Sequence, residues 1–296
     1  MVSINKKIGL IGTYSVVKII IIFGKVGSKT FQFVWPSGKQ NRLAIFELPM
    51  EGNVYFEKKN KVGRIKFSHP KGNSLPSPLL RKLIATLGKA NDDPEVHVVV
   101  LESEGNAFCA GASLSELKTL KDLEEATAFF MGFADLLNTL RKMSKFVLAS
   151  VHGKVVGGGV GLVSACDYSF ATETAYLKLS ELSIGLGPYV IEPAVSRKIG
   201  TTAFAQLSLD SANWKNAHWG VEKGLYSQCV QDQKALAEAV NEKAEMWAGY
   251  APAACSALRQ LHWKNTQNWD SLLPENAKIT AQLALSDFTQ NRIKSL

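Results

Sequence analysis

The chain has 296 residues with 46% apolar content, enough for one large or two small domains with a buried core. Its formal net charge of +8 is unevenly spread: Met1 to Met50 holds seven basic residues against the single acid Glu47, so the remainder is nearly neutral and a nucleic-acid partner is disfavoured. Four widely spaced cysteines, Cys109, Cys166, Cys229 and Cys255, contain no CxxC pair and indicate neither a zinc site nor a disulfide framework, which fits a reducing cytoplasm.

The opening segment carries the apolar runs Ile8 to Val17 and Ile19 to Phe23, preceded by Lys6-Lys7 and divided by Lys18. A membrane helix wants about 20 uninterrupted apolar residues, and no small-x-small cleavage site follows. Residues 1–50 are therefore read as a poorly ordered extension, or as the product of a start codon upstream of the natural one, and not as a membrane anchor. Tyr55 to Phe67 alternates apolar and polar residues around Lys59-Asn60-Lys61, which predicts a hairpin. Pro78 opens a helix whose apolar stripe is Leu79, Leu80, Leu83, Ile84 and Leu87, and Asn91-Asp92-Asp93-Pro94 stops it.

Val96 to Leu101 is expected to be a short buried strand, Glu102 to Ala112 a loop, and Leu114 to Lys145 largely helical. Phe146 to Val151 is a second strand, Gly153 to Gly161 a glycine-rich turn, Val160 to Cys166 the start of a helix, and Asp167 to Ala171 a further strand. Alternation of strands and helices predicts an α/β arrangement. From Ala203 the chain reads as mainly helical, with amphipathic pieces at Lys234 to Ala248 and Ala253 to Leu261.

The run Gly157-Gly158-Gly159 ahead of a helix suits an anion: backbone N–H groups face outward unobstructed by Cβ atoms, and the helix dipole adds partial positive charge. A dinucleotide fingerprint is excluded, because the G-x-G pairs at 157/159 and 159/161 are followed by Leu162 and Ser164 where glycine is required. GxxxxGK[ST], GxSxG and HExxH are absent, and no metal is implied. Taken alone, the glycine triplet is better explained by tight helix packing. Cys109 reads as a small buried hydrophobe, His152 as a packed histidine, Asp167 as a turn anchor, and Phe129, Phe130 and Phe133 as core more than acyl channel.

In combination the segments are specific. His69-Pro70-Lys71-Gly72-Asn73-Ser74-Leu75, Phe108-Cys109-Ala110-Gly111-Ala112, Val151 to Gly159, Cys166-Asp167 and Glu181-Leu182 together resemble the crotonase family, also called the enoyl-CoA hydratase/isomerase family, from about Val54 to the C-terminus. The resemblance implies a spiral of ββα units over residues 51–202 and a helical trimerisation region over 203–296. It implies an acyl-CoA thioester substrate, coenzyme A only as part of that substrate, no separate cofactor, and a homotrimer or dimer of trimers.

By the same resemblance the N–H groups of Ala112 and Gly158 form an oxyanion hole for a thioester enolate, Glu181 is the catalytic acid/base, and Ala110, Gly157 and Tyr189 line the substrate pocket. Glu192 is read as solvated. Gly161 stands where the family carries a second glutamate. Hydration uses two glutamates on one water, whereas a 1,3-proton shift needs one, so an enoyl-CoA isomerase is expected over a hydratase. The alternatives are a hydratase with an atypical acid/base set and a non-catalytic acyl-CoA-binding subunit. Ser115 stands where some members place a base near the CoA phosphates, and Lys58, Lys118 or Lys121 could compensate.

Overall fold

Asn60 and Lys61 take positive φ angles of 50° and 65°, the backbone twist that a two-residue hairpin requires. They return β1 (Asn53–Lys59) onto β2 (Val62–Ser68) in antiparallel register, with Lys59 opposite Val62. The computed structural model describes residues 52–295; the expectations about residues 1–50 lie outside them. α1 (Ser77–Asp92) follows with proline in its first turn and ends at Asp93.

A pattern then repeats three times: a long strand, a short strand in a second sheet, and a helical segment. The first turn is β3 (Val98–Ser103), β4 (Ala107–Cys109), α2 (Leu114–Leu117) and α3 (Leu123–Lys142). The second is β5 (Phe146–Val151), β6 (Lys154–Val156) and α4 (Gly158–Ser164). The third is β7 (Tyr168–Thr172), β8 (Leu177–Lys178) and a 3-10 turn, Glu181–Ile184, before α5 (Glu192–Ile199). After α6 (Thr201–Leu209), α7 (Ala217–Glu222) and β9 (Gln228–Val230), the chain closes with α8 (Gln233–Ala248), α9 (Pro252–His262), α10 (Trp269–Ala284) and α11 (Asp287–Lys294).

The large sheet has the order β1-β2-β3-β5-β7-β9 and the small one β4-β6-β8, with every pair after β1–β2 parallel. This is the α/β spiral that the resemblance implies. Parallel strands covered on both faces need continuous apolar runs, and the central strands supply them. Val98, Val100, Phe146, Leu148 and Phe170 pack with Leu236, Val240 and Ala244 of α8. The intervening Val99, Leu101, Val147 and Ala149 belong to the main core with Leu83 of α1 and Leu137 of α3.

Several elements depart from expectation. The single helix expected over Leu114 to Lys145 is two, because Ser113 and Asp122 each accept a backbone N–H three residues on and start separate helices. The loop from Glu102 contains β4, and the glycine-rich turn contains β6; strands of three residues leave too short an alternation to read. α4 begins at Gly158, two residues earlier than expected. β9 interrupts the stretch read as mainly helical. No helix among the described residues is long and apolar enough to cross a membrane.

One buried ion pair ties α9 to the spiral. Arg259, 1% exposed on α9, donates from Nε to Asp167 Oδ2 at 2.9 Å, and its other nitrogens reach the carbonyls of Leu140, Arg141 and Met143 at the end of α3. Asp167 also accepts from the Val147 N–H at 2.8 Å and from Trp263 Nε1 at 3.0 Å, the turn-anchoring role expected of it. Removing one partner of such a pair strands the other in the interior. Asp167→Ala is expected to cost about 3–5 kcal/mol in urea unfolding; an unchanged midpoint would refute this.

Candidate active site

Three adjacent, parallel and very short strands set the geometry. Residues that directly follow the C-terminal ends of neighbouring parallel strands emerge along one edge, where open α/β sheets commonly hold ligands. Ala110-Gly111-Ala112 follows β4, Gly157-Gly158 follows β6, and Glu181 lies three residues beyond β8. The β6–β8 ladder runs on through the Gly157 N–H, which donates to Lys178 O at 3.0 Å. A third segment joins this edge: the Ala110 N–H donates to Gly72 O at 3.0 Å and the Leu75 N–H to Gly111 O at 2.8 Å. Buried Asn73 fastens that segment, donating to the carbonyls of Glu104 and Ala107 and accepting from the His69 N–H.

Two glycines permit the close approach. Gly111 has φ of 80°, and a Cβ there would sit 2.7 Å from Val156 O and 3.1 Å from Gly158 N. Gly157 has φ of 52°, and a Cβ there would sit 2.8 Å from Glu181 Oε1. Any side chain would thus strain the backbone and part either the two donor loops or the loop and the acid. Gly158 is the first residue of α4, where N–H groups lack intrahelical acceptors and the dipole is positive. Among the described residues, neither the Ala112 nor the Gly158 N–H donates to a backbone carbonyl.

Glu181 begins the 3-10 turn. The residue as a whole is half-buried, but its carboxylate is not: Oε2 is withdrawn from solvent and has no hydrogen-bond partner. Burial penalises the charged form and pushes the pKa from 4.5 up to about 7, with the N–H groups of Glu181 and Ser180 partly opposing it. A buried carboxylate oxygen without a partner, beside N–H groups that bond no backbone carbonyl, departs from the rule that structural carboxylates are satisfied and marks this edge as the candidate site.

Position 161 is closed. Gly161 is buried one turn along α4 from Gly157, and a Cβ there would lie 2.5 Å from Ile191 Cγ2 and 2.7 Å from Ile191 Cβ. Ile191 carries no sequence signal, and its importance emerges only in three dimensions. Tyr189 folds its ring against Gly187, stays 40% exposed, and its carbonyl accepts from Asn276 of α10 at 2.9 Å. Glu192 is half-buried at the start of α5, where a carboxylate complements the helix dipole.

The remaining candidates are structural. The Cys109 thiol is fully buried and pushed up to about 12, which removes its nucleophilic form. His152 is buried with Nε2 2.9 Å from Gly105 O. Phe129, Phe130 and Phe133 are core residues, and Phe133 lies directly against Gly158, where a Cβ would meet its ring at 2.3 Å. Lys58 is committed to Asp93 and Glu95 and is not a free phosphate ligand, while Lys71 Nζ sits 2.6 Å from Ser115 Oγ beside the Ala112 loop. Lys118 and Lys121 are exposed.

The chain belongs to the enoyl-CoA hydratase/isomerase family, whose model matches residues 57–295. It is similar to the short-chain-enoyl-CoA hydratase of Clostridium acetobutylicum, 29% identical over 211 residues that cover 70% of this chain and 80% of the relative. It is also similar to the mitochondrial Delta(3,5)-Delta(2,4)-dienoyl-CoA isomerase of Mus musculus, 27% identical over 195 residues, 62% of this chain and 60% of the relative. The crystal structure of an enoyl-CoA hydratase from Mycobacterium avium matches with a TM-score of 0.72 at 26% identity, covering 82% of this chain and 94% of that one. Hydratase is the commoner name among such relatives.

The raised pKa of Glu181 has a measurable sign. The folded chain holds this proton up to about pH 7, the unfolded chain only to about 4.5. Stability therefore falls as pH rises through that window and levels off above it. Glu181→Gln removes the dependence: relative to wild type it should gain up to about 3 kcal/mol at pH 8 and nothing below pH 4.5. Parallel urea curves across this range check it, and a difference independent of pH would contradict a raised pKa.

Proposed function

We propose that this protein is an acyl-CoA enzyme that shifts a carbon–carbon double bond adjacent to a thioester, with Glu181 as its one proton carrier. The observation that carries this reading is the pairing of a buried carboxylate poised near neutrality with a second acid position that is filled by Ile191. On a 3-enoyl-CoA the Glu181 carboxylate removes a proton from C2, and the electrons pass into the carbonyl to give a dienolate. The N–H groups of Ala112 and Gly158 take the developing oxyanion, each such donor being worth about 3 kcal/mol of barrier. The protonated Glu181 then returns the proton at C4 as the double bond moves from C3–C4 to C2–C3. No atom is gained or lost.

Hydration makes a different demand: one group takes a proton from water as its oxygen adds to C3, while a second supplies a proton at C2. The names of the relatives favour that reading, but Glu181 alone offers one such group at this edge. A silent binding subunit would have no need of a carboxylate oxygen buried without a partner, which costs stability at neutral pH.

Purified protein is expected to convert a 3-enoyl-CoA to the conjugated 2-enoyl thioester, followed by its ultraviolet absorbance. Glu181→Gln should lower kcat by about 10²–10⁴-fold. The rate should rise with pH through about 7, because the carboxylate must be unprotonated to act. Loss of a 2-enoyl-CoA signal with no isomerisation would instead establish a hydratase.

A further inference from the structure

We infer that Ile191 determines the reaction specificity of this site by occupying the volume a side chain at position 161 would need, so that the acid absent from α4 is excluded sterically as well as missing from the sequence. The inference rests on the reading of Glu181 as sole proton carrier and identifies what enforces it. Ile191 is 4% exposed, precedes α5, and its carbonyl accepts the Val195 N–H at 3.0 Å. Its side chain is thus tied to a helix and lacks the mobile end that could swing aside.

The contact is tighter than ordinary packing. A Cβ at position 161 would lie 2.5 Å from Ile191 Cγ2 and 2.7 Å from its branched Cβ, with the Cα 3.7 Å away, so rotation about χ1 does not clear the space. α4 has the same relation to its surroundings at Gly158, against Phe133, and at Gly159, against Cys109. Gly161 differs in its place on the helix: its N–H bonds to Gly157 O at 3.3 Å, one turn from the glycine that meets the Glu181 carboxylate. Along this face of α4, Glu181 covers one turn and Ile191 the next. An apolar branched side chain there supplies no hydrogen-bond partner for a second water proton.

Two measurements test this on the full chain. In a stability cycle, Gly161→Ala overpacks, Ile191→Ala leaves a cavity, and the double variant should recover, with a urea midpoint above the sum of the two single shifts; additive shifts would overturn the steric claim. In assays with 2-enoyl-CoA, Gly161→Glu alone should hydrate no faster than wild type, while Gly161→Glu with Ile191→Ala should do so at least tenfold faster than either single variant. A hydrating Gly161→Glu single variant, or a folded double variant without the gain, would refute the assignment of specificity to Ile191. The isomerase reading fails separately: wild type inactive on 3-enoyl-CoA, with the cycle non-additive and the double variant hydrating, would remove that reading and leave the role of Ile191 standing.

Discussion

The candidate site depends on one close approach of backbone to backbone. Gly111, just after β4 in the first turn of the spiral, passes so near Val156 O and Gly158 N that no Cβ fits between them. This contact brings the loops after β4 and β6 together, so two N–H groups that are distant in sequence emerge at one edge. Parallel pairing of β4 with β6 and of β6 with β8 sets the approach, and the buried apolar faces of the large sheet set that pairing in turn. The geometry is built on paired strands, as the proposed oxyanion hole requires, because donors that must reorganise lose their electrostatic advantage.

The acid is placed by a different economy. Gly157 turns with positive φ to give Glu181 room, and Oε2 of the buried carboxylate is left without a hydrogen bond to stabilise its charge. Near neutral pH this works against folding and in favour of proton transfer, since a base with a pKa close to the working pH can both accept and return a proton. The chain offsets the cost elsewhere. Its large apolar core and the fully bonded Arg259–Asp167 pair hold the C-terminal helices against the spiral.

The sequence disclosed the parts of this arrangement that rest on local rules. The hairpin around Asn60-Lys61, the Pro78 helix start, the strand Phe146 to Val151 and the α8 and α9 boundaries follow from periodicity and end signals, and the structure agrees with them, while β3 begins and ends two residues later than expected. The family motifs placed Ala110 to Ala112, Gly157 to Gly161 and Glu181 in one context. Strands of two or three residues stayed illegible, because β4, β6 and β8 are defined by their partners and carry too few residues for a period. Ile191 was illegible for a related reason: nothing in Val190-Ile191-Glu192 shows that its side chain lies against a glycine thirty residues earlier.

The C-terminal helices contribute no proposed reacting atom, yet they hold the segment that follows the acid. Asn276 Nδ2 donates to Tyr189 O at 2.9 Å, Thr289 Oγ1 to Gly185 O at 3.1 Å, and Arg292 Nε to Ser183 O at 3.3 Å. Gly185 sits against Thr289 and Phe288 so closely that a Cβ would meet them at 2.5 and 2.6 Å. These bonds span the stretch from Glu181 to Ile191, whose two ends face successive turns of α4. The helical end of the chain therefore fixes the backbone between Glu181 and Ile191 at three carbonyls. The candidate edge thus belongs to the spiral, while the segment that follows Glu181 is held in place by helices far along the sequence.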